Sequence, residues 1–282
     1  MGSTILRVMP GSQRIVWLLL AALLLFDSPS CAQFAELNHA AAQITKKLKT
    51  ARPKMVAVAD LTAPDGSMSP QGDYFAWYLS VAVLHYGGKK VPVADHGNFD
   101  KVISGLGLTL PGASLSDSLK TLATRARLDV LILGTVERTT EKYSVALQAI
   151  RVADGKILDA DNVSFARTAF IDSLSDPFPP KTDYPIYRLG DDGISSPSCI
   201  RCPDPSYNSL AREQRIQGVS VFQAVVSPEG LIVYAHPVKV LGYGLDEQAY
   251  EVIKTWRLKP ATNKRHEPVA VIVPIEVTFR MF

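Results

Sequence analysis

The chain has 282 residues, 47% of them hydrophobic, which is enough for two modest domains each with its own core. Thirty Lys and Arg against 27 Asp and Glu leave a net charge of +3, with the basic residues spread along the chain. That balance speaks against a nucleic-acid binder, which concentrates basic charge on one face, and pairs such as Lys46-Lys47 and Lys264-Arg265 read as solvated faces.

Arg7 and Arg14 precede an uninterrupted apolar run over residues 15–26. As a helix the run spans about 18 Å, short of the roughly 30 Å of a bilayer core, so it reads as the apolar region of an export signal. Ser28, Ser30, Cys31 and Ala32 come next, and cleavage after Ala32 fits the small-residue rule. An uncleaved anchor associated with the inner membrane is one alternative. Lipidation at Cys31 is another, although Ser28 stands where lipoprotein sites usually carry Leu. With the signal removed, only Cys199 and Cys202 remain, and an even pair in an exported protein reads first as a disulfide. A redox pair lacks flanking thioredoxin-like elements. A metal site lacks a second Cys pair, and His39, His85, His96, His236 and His266 are scattered.

Phe34, Leu37, Ala41, Ile44 and Leu48 recur at helical spacing and predict an amphipathic helix over 33–51, packed on the domain C-terminal to it and not on a membrane. Strands are predicted at 55–61 and 90–94, and helices at 72–86, 99–106 and 115–128. Residues 129–136 are the strongest buried-strand signal. Strands at 143–152 and 156–165 flank Ala153-Asp154-Gly155, an Asp-Gly hairpin signal. This order predicts an α/β middle domain over 52–170, a mixed sheet with flanking helices. Its Val56-Ala-Val-Ala-Asp60, Leu128-Asp-Val-Leu-Ile-Leu-Gly-Thr-Val136 and Val152-x-Asp-Gly-Lys156 elements resemble the TolB N-terminal-like group of envelope domains over about 52–167. The resemblance implies binding to other envelope proteins.

Residues 171–202 read as a linker, because prolines fix φ and remove donors; Pro177, Pro179, Pro180, Pro185 and Pro197 fall in it. Beyond it, a short helix is predicted at 207–216, with Leu210 and Ala211 turned inward. A hairpin of strands 218–226 and 231–240 comes next, joined by Ser227-Pro-Glu-Gly230, and then a helix at 245–256. Val271, Val273, Ile275, Val277, Phe279 and Met281 share one face of a last strand over 269–281. Ile272, Pro274, Glu276, Thr278 and Arg280 share the other. Pro274 cannot donate to a ladder, so the strand is expected at a sheet edge. Its polar residues either protect that edge from aggregation or leave it open to a partner strand.

Tyr207, Arg212, Gly218, Leu245-Asp246, Trp256-Arg-x-Lys-Pro260-Ala and Pro268-Val269 stand in an order that resembles TonB-family C-terminal domains, over about 203–282. The resemblance implies a small α+β domain with an antiparallel sheet. It implies core roles for Tyr207, Arg212, Gly218, Leu245, Asp246, Trp256 and Pro260. It also implies a partner-binding strand at Val271, Ile272, Val273, Ile275, Glu276, Val277, Thr278 and Arg280, with TonB-dependent outer-membrane transporters or other envelope proteins as partners. Asn208 stands where the family usually has Pro, and Leu258 where it has Phe. A folded domain also occupies the place of the long spacer found in energy-transducing members. That leaves two readings in the periplasm or on the inner membrane facing it: a TonB-like adaptor, or a scaffold acting through the middle domain. Neither is an enzyme or needs a cofactor: Gly-x-Ser-x-Gly and phosphate-loop motifs are absent. Asp60, Asp65 and Asp73 read as solvated loop carboxylates, with a weak cation site as the alternative.

Overall fold

Leu37, Ala40, Ala41, Ile44 and Leu48 form one stripe of a helix, and all five are buried in the computed structural model. The structure describes residues 29–108, 115–191 and 193–281; the predicted export signal lies outside these but for its last four residues. That helix, α1 (Pro29–Ala51), packs on α2 (Pro70–Gly87) and on the fourth strand of the first sheet. Among the described residues no helix is long and apolar enough to cross a membrane. Helix α2 starts where Ser69 Oγ accepts from the Gly72 amide and Pro70 opens the first turn.

The first sheet has the order β1 (Val56–Val58), β2 (Val130–Arg138), β3 (Lys142–Arg151), β4 (Ile157–Ala166). β1 and β2 run parallel and the other pairs antiparallel. Alternation along β2 divides the core. Val130 and Ile132 face the cluster under α1 and α2. Leu131 and Leu133 face a second cluster with Phe99 of α3 (His96–Gly105) and Leu119 and Leu122 of α4 (Leu115–Arg125). This is the predicted α/β sheet with helices on both faces. The strand predicted at 90–94 is instead a turn of 3-10 helix (Gly88–Lys90) and then a single bridge from Val93 to Val56.

The predicted linker is folded. Thr168 Oγ1 accepts from the Ile171 amide and caps α5 (Ala169–Ser173), whose Phe170 and Ile171 are buried. Phe178 then lies against Tyr234 and His236 of the second sheet. β5 (Ile186–Arg188) and β6 (Ser198–Arg201) come after it as strands. Proline-rich backbone is extended but still carries donors and acceptors that need partners, and here strands supply them.

After α6 (Ser209–Glu213), β7 (Gly218–Val226) and β8 (Ile232–Lys239) form the predicted hairpin. Gly230 adopts φ +77° in its turn and donates to Ser227 O at 2.9 Å; a Cβ there would fall 1.8 Å from Leu258 O. Helix α7 (Leu245–Ile253) ends one turn earlier than predicted, leaving Trp256 in the connection to β9 (Arg257–Lys259). β10 (Ala261–Thr262) and β11 (Pro268–Phe279) complete a sheet of order β10-β11-β7-β8, with β5 added in parallel to β11. β6 and β9 form a separate two-stranded ribbon.

The two halves share one hydrophobic cluster. Phe170 sits 5.4 Å from the Tyr74 ring and 5.5 Å from that of Tyr250, and Tyr78 meets Tyr243 at 6.3 Å. Gln71 Nε2 donates to Ile171 O, and Asn38 Nδ2 donates to the Tyr78 hydroxyl. Phe170→Ala is therefore expected to cost about 3–5 kcal/mol and to lower both halves together. Urea unfolding followed through Trp77 alone and Trp256 alone should give coincident transitions; separated ones would contradict a shared core.

Candidate partner-binding edge

Strict alternation buries Val273, Ile275, Val277 and Phe279 against the domain and leaves Pro274, Glu276, Thr278 and Arg280 exposed, as the sequence predicts for β11. On one side, 271–279 pair with β7 in antiparallel register, Val271 opposite Val226 through Phe279 opposite Gly218. On the outer side, β5 pairs with Ala270, Val271 and Ile272. Val271 and Ile272, predicted as part of a free edge, are thus bonded on both sides. Among the described residues no strand pairs with 273–279 on the outer side, so the open ladder is this shorter segment.

A cleft of about 370 Å³ lies beside it, lined by Val273, Pro274 and Ile275 with Leu189, Trp256 and the Cys199–Cys202 disulfide. The disulfide is formed as predicted and sits at a register shift where β6 pairs with β9. Trp256, predicted as a core anchor, is half-buried; its Nε1 donates to Pro203 O at 3.0 Å, fixing the indole in the cleft wall. Leu189 is 40% exposed. Sequence reasoning missed Leu189 and also Pro197, a further residue of the cleft wall, because their place depends on β5 and β6 folding back.

The remaining motif residues support this edge from behind. Asp246, fully buried, accepts from Ser220 Oγ, the Leu241 amide and the Gly242 amide, so one carboxylate ties β7 to the loop that opens α7. Burial pushes its pKa up to about 6, against the pull of those bonds. Leu245 is buried beside it, and Gly218 and Pro260 are half-buried. Tyr207 donates to Ile216 O and sets its ring edge-on to Phe279. Arg212, predicted in the core, is exposed instead: the five-residue α6 turns only Ala211 inward among its described side chains, while Leu210 lies outside them. Asn208 explains its own departure from the family pattern. Its Oδ1 accepts from the Ala211 amide, capping α6, and its Nδ2 donates to Tyr243 O; Pro could make neither bond.

The three loop carboxylates part company. Asp65 stays in its turn, where bonds from the Ser67 hydroxyl and amide hold its carboxyl below the usual range. Asp60 and Asp73 converge with His96 and Asp100, which the sequence alone does not join to them. Burial opposes charge on the His96 ring, but the close Asp60 and Asp73 carboxylates and the field of Asp100 outweigh it and push its pKa up to about 10.

Residues 203–281 match the family model of the Gram-negative bacterial TonB protein C-terminal. No curated protein matches the chain. Solved structures similar to parts of it include the LpoB C-terminal domain from Escherichia coli, at 11% identity over 47% of this chain and 99% of that one (TM-score 0.35). Lipoprotein GNA1162 from Neisseria meningitidis is similar at 17% identity over 42% and 83% (TM-score 0.31). The TonB CTD of Pseudomonas aeruginosa is similar at 17% identity over 34% and 95% (TM-score 0.25). The mixed α/β architecture and the TonB C-terminal-like segment are those the sequence predicts.

Glu247 gives a test of this buried support. Its side chain lies at the junction near Thr168, and burial pushes its pKa up to about 7. A carboxyl raised above its unfolded value near 4.5 keeps its proton in the native state, so its contribution to stability falls as pH rises from about 4.5 through about 7 and is level above that. Glu247→Gln is expected to unfold at a higher urea concentration than wild type at pH 8 and at a similar one at pH 5. An equal difference at both pH values would contradict the assignment.

Proposed function

We propose that this protein is a non-catalytic envelope adaptor that binds an extended segment of a protein partner by strand addition to the outer side of β11. The observation that carries the reading is the open ladder at 273–279 beside the apolar cleft of Trp256 and the disulfide. Main-chain groups there pair with any extended backbone, and alternate side chains of the incoming strand enter the cleft. At roughly 3.3 Å per residue the free segment accepts a strand of about six residues. The match of 203–281 to the TonB C-terminal family supports a periplasmic setting and, as partner, the periplasm-facing segment of a TonB-dependent outer-membrane transporter.

A second reading, a scaffold without energy transduction, draws on the aromatic seam that joins the halves and on the folding of 171–202 onto the second sheet. In that reading the middle domain is the main interaction surface, standing where energy-transducing members carry a long spacer.

The experiment uses fluorescent eight-residue peptides from transporter periplasmic segments, N-methylated at either of two alternating sets of amides. One set is expected to abolish binding and the other to leave it intact, because an added strand turns alternate amides toward the ladder. Trp256→Ala is expected to weaken the unmodified peptide at least about 10-fold. Equal tolerance of both methylation sets would rule out strand addition.

A further inference from the structure

Three carboxylates and one imidazole meet at the C-terminal end of the parallel pair β1 and β2, where open α/β sheets characteristically bind ligands. Asp60 lies just after β1, Asp73 lies in the first turn of α2, and His96 and Asp100 stand one turn apart on α3. Their ligating atoms all lie within 4.8 Å of one another. His96 is 5% exposed. Its Nδ1 lies 3.1 Å from Val58 O, which can only accept, so Nδ1 carries a hydrogen and Nε2 is the atom turned into the cluster. Nε2 is buried and makes no well-formed hydrogen bond, and neither does the buried Asp60 Oδ1 facing it. Among the described residues no lysine or arginine forms an ion pair with Asp60, Asp73 or Asp100.

We propose that Asp60, Asp73, His96 and Asp100 form a binding site for one divalent first-row transition-metal ion, with Zn²⁺ as the leading candidate. The geometry fits. Nε2 lies 3.0 Å from Asp60 Oδ1 and 3.5 Å from both Asp73 Oδ1 and Asp100 Oδ2. A tetrahedron with metal–ligand bonds of about 2.1 Å has edges of about 3.4 Å. The outer shell fits too: a ligating histidine ordinarily donates its other ring nitrogen's hydrogen to a carbonyl or carboxylate, and Val58 O holds that place. The imidazole favours Zn²⁺ over Ca²⁺ and Mg²⁺, which take oxygen sets. Asp73 is 67% exposed and opens toward the cleft between α2 and β8, giving the ion a path from solvent. The bound ion would tie β1, α2 and α3 together at one point, a structural staple independent of the partner-binding edge. The sequence offers a weak cation site only as the alternative reading of Asp60, Asp65 and Asp73; the fold leaves Asp65 out and brings His96 and Asp100 in.

The test uses the full chain stripped with a chelator, titrated with Zn²⁺ at pH 7.5 against a chromophoric competitor. One equivalent is expected to bind, with a rise in Tm, and millimolar Mg²⁺ is expected not to displace it. Asp73→Asn, a change at an exposed side chain that leaves the core untouched, is expected to weaken Zn²⁺ at least about 10-fold, and His96→Gln more, with unchanged far-ultraviolet circular dichroism for Asp73→Asn. His236→Gln, across the neighbouring cleft, is expected to bind as wild type does. No stoichiometric binding, or binding that Asp73→Asn and His96→Gln both retain, would overturn the proposal.

Discussion

The backbone along the rim of a sheet has to be paired, covered or kept for another chain, and the C-terminal sheet meets that constraint differently along its length. At the β8 rim, Phe178 packs on Tyr234 and His236, and Tyr234 donates to Asp176 O. At the β11 rim, β5 pairs with Ala270–Ile272 and then stops. The chain that covers one rim is the same chain that partly covers the other: 171–202 crosses from β8 to β11 and, among the described residues, leaves 273–279 unpaired on the outer side. What the segment does not cover defines the proposed site more closely than any residue motif does.

The position of that rim depends on the seam behind it. Tyr74, Tyr78, Phe170, Tyr243 and Tyr250 bury their rings between the halves, and Asp246 fixes the loop carrying Tyr243 to β7 through three hydrogen bonds. The buried carboxyls of Asp246 and Glu247 are costly to ionise there, which links rigidity at the junction to pH. An interface presented by such a body loses little conformational entropy when a partner strand docks.

Where periodicity is local, the sequence foretells the structure. The stripe of Leu37, Ala41, Ile44 and Leu48, the 218–239 hairpin and the alternation along β11 result from spacings of 3.6 and 2. The illegible part is non-local. The three residues of β5 carry no period, and their pairing with β11 rests on proximity created by α5 and Phe178. Arg212 belongs to the family motif, which suggests a core place, but in so short a helix its side chain is left in solvent. The His96 and Asp100 spacing is visible along the chain; their meeting with Asp60 and Asp73 requires the β1–α2–α3 arrangement.

Amide hydrogen exchange on the full chain, with and without a transporter-derived peptide, tests the central claim most directly. Added protection is expected only at the outward amides of 273–279 and at groups lining the adjacent cleft, with β8 and α3 unchanged. Protection appearing along β8, or displacement of β5 from Ala270–Ile272 with none at 273–279, would contradict it.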